Sequence, residues 1–221
     1  MVAVTRPNKR AASRPGGFVR GLDDTRALLT AAARDVFLES GPAGFSLREV
    51  ARRVGVSAPA VYRHVDGKDA LVFAACTQGF QVFSSYLVRA LAEATPLARL
   101  QATSDQYRQF GLENPRDYRF IFMSPAHEVK VDSHAKLAAP AASSLPQDST
   151  FRFLVDRVKE CMDARILTPG PAEHVAALVW AHVHGLVALR LSGHLGALGD
   201  DQGFAEFYRA SVARLLRGLA D

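Results

Sequence analysis

The chain has 221 residues, of which 48% are hydrophobic and 22% are charged, a balance that is typical of a globular protein of one or two domains and excludes a disordered chain. The positive charge is unevenly distributed, because residues 1–68 contain 12 Lys or Arg and 6 Asp or Glu, whereas residues 69–221 contain 15 and 16. A basic N-terminal third attached to a nearly neutral remainder indicates a module that binds a polyanion such as nucleic acid.

The cysteines and the apolar segments argue against secretion and membrane insertion. Cys76 and Cys161 form neither a disulfide framework nor a C-x-x-C pattern, so we expect two buried thiols in a reducing compartment. The basic N-terminus lacks the apolar segment of a signal peptide. The most apolar stretch, residues 175–195, contains three histidines and Arg190, which favours a buried helix over a membrane span. We therefore expect a cytoplasmic protein with no membrane partner.

The N-terminal region is predicted to be a flexible arm followed by a helix. Residues 1–22 are basic and interrupted by proline and glycine, which indicates an arm without regular structure. Apolar residues at helical spacing predict the first helix over residues 24–40, with Asp23 or Asp24 as its N-cap. The pair Gly41-Pro42 is a helix stop signal, because glycine tolerates a left-handed exit and proline cannot continue the helix.

Two short helices around a glycine turn are predicted next. The second helix spans residues 46–54 and begins with a capping box of Ser46 and Glu49. After the turn at residues 55–57, a third helix spans residues 58–64. Ser57 is its predicted N-cap, and Pro59 lies in its first turn, where the missing N–H costs little. Isolated helices this short are marginal in water, so packing must hold them.

The remainder of the chain is predicted to be helical, because no run alternates long enough to form a strand. A fourth helix begins near Lys68 with Asp66 as its N-cap and extends to about residue 92. The later predicted helices span residues 96–113, 148–166, 171–195 and 201–219, with a short one from Pro115 and a loose segment over residues 124–147. The prediction is therefore an all-α fold of about nine helices, with an arm (1–22), a helix-turn-helix domain (23–68) and a larger helical domain (69–221).

A helix-turn-helix places the N-terminal part of its second helix against base edges in the major groove of DNA. The small Ala58 and Ala60 suit contact with thymine methyl groups, and Arg48 suits a bidentate bond to guanine. The other polar candidates suit phosphates, although Arg63 can also reach a guanine edge. The candidate DNA-binding residues are Ser46, Arg48, Ser57, Ala58, Pro59, Ala60, Tyr62, Arg63, His64 and Lys68. The spacing alone is also compatible with an all-α protein that binds no DNA.

The segment FSLREVARRVGVSAPAVYRHVDGKDAL resembles the helix-turn-helix signature of the TetR family, and the match covers residues 24–71 in the order helix, glycine turn, Tyr-x-His and Lys-x-x-Leu. The resemblance implies an all-α homodimer of about nine helices. Its small N-terminal heads would read a palindromic operator in double-stranded DNA. Its variable core would bind a small-molecule inducer that releases the DNA.

A weaker resemblance covers the C-terminal region. W-A-H-V-H-G at residues 180–185 and GLENPRDYRFIF at residues 111–122 are similar to the TetR C-terminal domains named for a Trp-His-Gly pattern. This resemblance implies a dimer interface within residues 171–221, formed by the last two long helices. It does not identify the ligand.

Aromatic residues are the candidates for a ligand pocket, since small-molecule sites are mostly apolar with a few polar groups. The candidate pocket residues are Phe83, Tyr107, Phe110, Tyr118, Phe122, Trp180 and His184. Trp180 and His184 share a helix face, so they can lie at the pocket or the dimer seam, or form a packed pair in the core. Arg190 lies in an apolar helix and needs a partner. That partner can be an acidic ligand, Asp156, Glu160 or a residue of a second subunit.

The sequence offers no enzymatic or metal-binding motif. His182 and His184 point about 200° apart on a helix, so they cannot chelate one ion together. No G-x-S-x-G, phosphate-binding glycine loop or H-E-x-x-H pattern occurs. We therefore expect no catalytic residues, no metal and no cofactor.

Several functions stay open at this stage. The favoured function is a ligand-responsive repressor of the TetR type, and activation is the alternative within the same class. A small-molecule binding protein whose helix-turn-helix does not read DNA, or an enzyme built in the helical cavity, are the alternatives from other classes. The basic arm can also reach into a minor groove. The ligand, the operator and the role of residues 124–147 are not identified by the sequence.

Overall fold

The computed structural model describes the backbone of residues 17–124 and 146–220 and the side chains of residues 24–124 and 149–220. Within these ranges all regular elements are helical, which confirms the all-α prediction. The nine α-helices are α1 (Gly17–Gly44), α2 (Leu47–Val54), α3 (Ala58–Val61), α4 (Lys68–Leu87), α5 (Pro96–Glu113), α6 (Pro115–Phe122), α7 (Pro146–Asp163), α8 (Ala172–Leu191) and α9 (Asp201–Arg217). Short 3-10 segments follow α4 (Val88–Ala92) and precede α9 (Gly196–Leu198).

Helix α1 begins earlier than predicted. It starts at Gly17, so Asp23 and Asp24 lie inside the helix and the prediction that either caps it is wrong. No proline occurs between residue 17 and the predicted start, so nothing in the sequence stops the helix from extending there. Residues 17–22 of the predicted arm are therefore helical, and residues 1–16 lie outside the described residues.

The predicted stop at Gly41-Pro42 is confirmed in its geometry. Gly41 has φ 68° and ψ −179°, which breaks the helical path within α1 before its last turn. A positive φ is adopted readily by glycine and costs other residues energy. The break redirects the chain toward the start of α2.

The predicted capping box at α2 is wrong. Ser46 has the extended backbone of an N-cap, but its side chain accepts no cap hydrogen bond. The carboxylate of Glu49 accepts bonds from Arg52 at 2.7 and 2.8 Å and from Arg53 at 2.9 Å. Charge-assisted bonds are stronger than a neutral cap bond, so Glu49 turns along its own helix and away from Ser46.

At the starts of α3 and α4, too, no side chain makes a capping hydrogen bond. Ser57 takes the extended N-cap conformation at α3 without a side-chain bond. Gly67, with φ 110°, occupies the N-cap position of α4 that was predicted for Asp66. A positive φ at this position suits glycine, so the N-cap is one residue later than predicted, and α4 begins at Lys68 as predicted.

The later helices match the prediction except at their ends. Helices α5 and α6 start at Pro96 and Pro115, as predicted. Helix α7 begins at Pro146, inside the segment predicted to be loose, and residues 125–145 of that segment lie outside the described residues. Helices α7, α8 and α9 end two to four residues before their predicted ends.

One hydrophobic cluster connects the N-terminal helices to the rest of the fold. It contains Leu29 and Phe37 of α1, Phe83 of α4, Phe110 of α5 and Val187 of α8. Helix α1 packs on both α2 and α4, and α4 in turn packs on α5, α6 and α7. Helix α4 therefore belongs to the packing of both regions.

Helix α6 joins α1 to the remainder of the molecule by charge and by ring packing. Arg34 Nη1 of α1 donates to Asp117 Oδ1 of α6 at 2.6 Å, and both side chains are largely buried. Three residues further along α6, the ring of Phe120 packs edge-on against Phe37 of α1, with centroids 5.5 Å apart. Asp117 and Phe120 share a helix face because they are three residues apart.

Two apolar helices differ in how much of their surface the fold covers. Lys68–Ala92 and Ala172–Leu191 are long and apolar enough to cross a membrane by length and composition alone. The first lies at the centre of the hydrophobic cluster. In the second, five residues are buried and the others are half-buried or exposed, so this apolar helix is only partly covered within a single chain.

Glycines allow close helix contacts at two points. A Cβ atom at Gly79 of α4 would lie 2.7 Å from Ile121 Cγ2 of α6, and one at Gly111 of α5 would lie 2.5 Å from Val187 Cγ1 of α8. Both distances are shorter than van der Waals contact. These glycines therefore set how closely α4 approaches α6 and α5 approaches α8.

We expect Gly79→Ala to destabilise the protein by about 1–3 kcal/mol, because the added methyl overpacks the α4–α6 contact. Helix propensity alone predicts the opposite sign, since alanine is favoured over glycine by about 1 kcal/mol inside a helix. Urea unfolding followed by circular dichroism measures the difference. Ser85→Ala, on the exposed side of α4, is the matched control and should change stability by less than about 0.5 kcal/mol. A stabilised Gly79→Ala variant would contradict this packing.

Candidate DNA-binding surface and ligand cavity

The turn between α2 and α3 is built around a left-handed glycine. Gly55 has φ 77° and ψ 26°, and its N–H donates to backbone carbonyls of α2. Val50 and Ala51 of α2 and Val61 of α3 are buried on the inner side of this turn. The buried residues fix the angle between the two helices, so their outer residues share one surface.

The structure exposes most of the candidate DNA-binding residues. Arg48, Ser57, Pro59, Tyr62, Arg63 and Lys68 are exposed, and Ser46, Ala58 and His64 are half-buried. Tyr62 has the largest apolar exposure among them, at 62%. Helix α3 ends at Val61, but residues 62–64 continue it as turns, because the N–H groups of Arg63 and His64 donate three residues back. The exposed residues therefore remain on one continuous segment.

The prediction that Ala60 faces DNA is wrong, because its side chain is buried at 8% exposure. Helix α3 has only four residues, and its inner side is formed by the adjacent pair Ala60 and Val61. Both residues are needed to bury α3 against α2, so the thymine-methyl role is available only to Ala58.

Lys68 has a structural partner as well as an exposed position. Its ammonium donates to the carbonyl oxygen of Pro42 at 2.7 Å and lies 5.5 Å from the ring centroid of Phe45. These contacts tie the start of α4 to the break in α1. An ammonium has three donors, so binding Pro42 leaves capacity for a phosphate.

A cavity of about 340 Å³ lies between α4, α5, α6, α7 and α8. Its walls are mostly aromatic and aliphatic, with a few hydroxyl groups. The lining residues are Phe80, Phe83, Leu87, Thr103, Ser104, Tyr107, Ile121, Phe122, Thr150, Phe151, Leu154, Val179, Trp180 and Val183. The volume lies within the range of small-molecule sites.

Four of the seven candidate pocket residues line this cavity: Phe83, Tyr107, Phe122 and Trp180. The other three, Phe110, Tyr118 and His184, are not among its lining residues, and they pack behind those that are. The ring centroids of Phe110 and Phe83 are 5.0 Å apart, and those of Tyr118 and Phe122 are 5.3 Å apart. The aromatic pattern thus identified the wall and the layer behind it without separating them.

Sequence reasoning did not select Thr103, Ser104 or Phe151, which also line the wall. Phe80 and Leu87 lie with Phe83 on one apolar stripe of α4, and helical spacing makes that stripe visible in the sequence. No signal in the sequence singles out Thr103 and Ser104, because small hydroxyl residues are equally common on exposed helix faces.

His184 lies in a hydrogen-bonded group with two tyrosines behind the cavity. Its Nδ1 is 2.9 Å from the hydroxyl of Tyr107 and 2.8 Å from that of Tyr118, and the two hydroxyls are 3.3 Å apart. Burial lowers the pKa of His184 and raises the pKa of Tyr107 well above its usual value. All three groups are therefore neutral near pH 7. His184 belongs to the packed core beside the cavity, with Trp180 6.1 Å away.

Arg190 pairs with neither of the two acidic residues of this chain that were predicted for it. Its guanidinium donates to Asp201 Oδ1 at 3.1 Å and to the carbonyl of Gly199 at 2.9 Å, and it lies over the ring of Phe204. Glu160, one of the predicted partners, binds Arg99 and Arg157 instead, and Asp156 does not contact Arg190. The α8–α9 connection brings Asp201 back to Arg190, which sequence separation did not reveal.

The thiols are protonated near neutral pH. Cys161 is buried and Cys76 is half-buried. Burial raises the pKa of Cys76 to about 12 and that of Cys161 to about 11. Among the described residues, no three His, Cys, Asp or Glu side chains are grouped to hold a metal ion.

Two family profiles match the chain. One, described as bacterial regulatory proteins of the tetR family, covers residues 29–75, and the other, described as a tetracyclin repressor-like C-terminal domain, covers residues 100–215. Neither description names the Trp-His-Gly type, so that narrower assignment stays a prediction.

Individual relatives agree with the profiles. The HTH-type transcriptional activator FasR of Mycolicibacterium smegmatis is 30% identical over 169 residues, which cover 73% of this chain and 76% of that protein. The class A tetracycline repressor protein from transposon 1721 of Escherichia coli is 26% identical over 125 residues, or 57% of this chain and 51% of that protein. A protein of unknown function from Rhodococcus sp. RHA1 has a similar structure, with a TM-score of 0.68, 28% identity and coverage of 89% and 96%. The chain therefore belongs to the TetR family of DNA-binding transcriptional regulators.

Proposed function

We propose that the protein is a homodimeric repressor that binds a palindromic operator and is released from it by a small molecule in the cavity between α4 and α8. The observation that carries this proposal is the double contact of α6. Ile121 and Phe122 line the cavity, whereas Asp117 and Phe120 hold α1. A ligand that displaces Ile121 and Phe122 acts on α6, the helix that supports the DNA-binding head formed by α1, α2 and α3.

Arg48 is the residue of the head that best suits base recognition. Among the described residues, Arg52 and Arg53 bind glutamates of α1 and α2, whereas Arg48 has no hydrogen bond or ion pair. Its guanidinium is exposed near the start of α2. A bidentate arginine–guanine contact is the commonest specific contact in the major groove.

Replacing Arg48 by alanine should weaken operator binding by roughly 5- to 150-fold, which corresponds to about 1–3 kcal/mol for a lost base contact. Tyr62→Phe should have a smaller effect, since it removes a single phosphate contact. Fluorescence anisotropy on an operator recovered by random-sequence selection measures both.

Arg152→Ala is the matched control, because it removes one exposed positive charge on α7, outside the helix-turn-helix and outside α8 and α9. It should leave operator affinity unchanged. An equal loss in Arg48→Ala and Arg152→Ala would show that only net charge matters and would contradict specific reading by Arg48. Failure of the selection to return any sequence would contradict the DNA-binding role itself.

The proposed dimer forms through α8 and α9. Large apolar side chains are exposed along these two helices, namely Leu178 at 47%, Leu189 at 43% and Phe207 at 40%. Large exposed apolar surface marks an interaction site, and α8 packs directly on α9. The exposed side of α8 would then be buried against its symmetry mate in a two-fold interface.

Leu178→Glu should convert the dimer to a monomer, because each subunit would bury a carboxylate in the apolar interface. Analytical ultracentrifugation measures the mass directly. Leu91→Glu places the same charge at an apolar residue that is 49% exposed outside α8 and α9, and we expect it to remain dimeric. A dimeric Leu178→Glu variant would exclude α8 as the interface.

The Arg34–Asp117 pair is the proposed connection between the cavity and the head. Removing Arg34 leaves the largely buried Asp117 carboxylate without its counter-ion, and removing Asp117 leaves Arg34 paired only within α1, with Asp35 at 3.3 Å. In either case α1 is held less firmly. Arg34→Gln and Asp117→Asn should each lower operator affinity, and the double variant should lose less than the two losses added together. Anisotropy titrations of the three variants give the interaction term. Strict additivity would contradict a direct coupling between these residues.

Activation of transcription is the second candidate, because the relative with 30% identity is described as an activator. The same dimer, surface and cavity serve either function. The position of the operator relative to the promoter decides between them.

A further inference from the structure

We infer that the cavity selects an uncharged, largely apolar ligand that donates a hydrogen bond, such as a phenol or an alcohol, and that it excludes carboxylates and phosphates. The inference concerns the ligand class of the cavity described above and rests on its proposed role as the effector site.

The walls of the cavity favour a planar apolar ligand. Phe80, Phe83, Phe122, Phe151 and Trp180 surround the space, and several meet edge to face, with Phe122 5.3 Å from Phe83 and 5.8 Å from Phe80. Aromatic rings arranged in this way pack well against another ring. A volume of about 340 Å³ accommodates a fused two-ring compound.

The described lining carries no charged side chain. Charged residues do occur on the same helices, but their partners lie outside the cavity wall. Arg99 and Arg157 share Glu160, and Arg108 binds Asp105 at 2.9 Å. An anionic ligand would lose its hydration without gaining a counter-ion, which costs several kcal/mol.

Two hydroxyl groups of the wall have already used their protons. Thr103 Oγ1 donates to the carbonyl of Arg99 at 2.7 Å, and Ser104 Oγ donates to the carbonyl of Leu100 at 3.1 Å. A hydroxyl has one proton and two lone pairs, so each of these groups can still accept but not donate. Thr150 also has an interaction partner.

The hydroxyl proton of Tyr107 is also already donated. Its proton goes either to Nδ1 of His184 or to the oxygen of Tyr118, and both acceptors lie within 3.3 Å. Thr103, Ser104 and Tyr107 therefore offer acceptors, and a ligand that bonds to them must bring the donor.

Four compounds on one naphthalene frame separate these requirements. Isothermal titration calorimetry on the full-length protein near neutral pH would compare naphthalene, 2-naphthol, 2-methoxynaphthalene and 2-naphthoate. We expect 2-naphthol to bind roughly 3- to 10-fold more tightly than 2-methoxynaphthalene, which can accept but not donate. We expect 2-naphthoate to bind at least about 100-fold more weakly than 2-naphthol.

Variants place the effect in the cavity. Thr103→Val together with Ser104→Ala keeps the shape of the wall and removes two of the three acceptors. It should lower the affinity for 2-naphthol toward that for 2-methoxynaphthalene and leave the latter unchanged. Thr77→Val is the control, since it makes the same change at a threonine of α4 outside the lining.

Three results would overturn the inference: tighter binding of 2-naphthoate than of 2-naphthol, equal affinity for 2-naphthol and 2-methoxynaphthalene, or no binding of any of the four compounds. Operator binding of the same preparation distinguishes these failures from a failure of the proposed function. If the protein binds its operator but does not show the expected ligand preferences, the proposed regulatory function stands and the inferred ligand class is wrong.

Discussion

The packing of α6 between α1 and the cavity is the constraint on which the rest of the structure depends. Neighbouring residues of this eight-residue helix have different partners: Asp117 and Phe120 contact α1, whereas Ile121 and Phe122 line the cavity. Gly79 lets α4 approach so closely that α6 has little space to move without shifting its neighbours. Closely packed interiors have discrete arrangements and transmit displacement, and this is the physical basis of the proposed coupling between occupancy of the cavity and orientation of the head.

The two candidate binding regions differ in charge. The head exposes cationic and polar residues, among them Arg48 and Arg63, to a polyanion. The described cavity wall is uncharged, and its neutral His184 and tyrosines satisfy one another behind it. In the proposed function, the cationic surface binds DNA and the apolar cavity binds the small molecule. The two ligands therefore bind through different interactions.

Much of the fold was predictable from the sequence, because helical periodicity and the glycines at 41 and 55 are local signals. The capping predictions failed where an ion pair competed, as at Glu49, or where backbone conformation alone sufficed, as at Gly67. Ala60 was assigned to the wrong side, because a four-residue helix has too little pattern to orient its faces. The acceptor-rich wall at Thr103 depends on contacts between distant helices, which periodicity does not encode.

In the proposed mechanism, ligand binding in the cavity and operator binding are thermodynamically linked, so each must weaken the other by the same factor. The affinity of 2-naphthol would be measured by calorimetry for the free protein and for the protein saturated with its operator, and the operator affinity would be measured with and without 2-naphthol. Linkage requires both affinities to change by the same factor, and we predict a decrease of roughly 5- to 150-fold in each. A 2-naphthol affinity that is unchanged by bound operator would contradict the account.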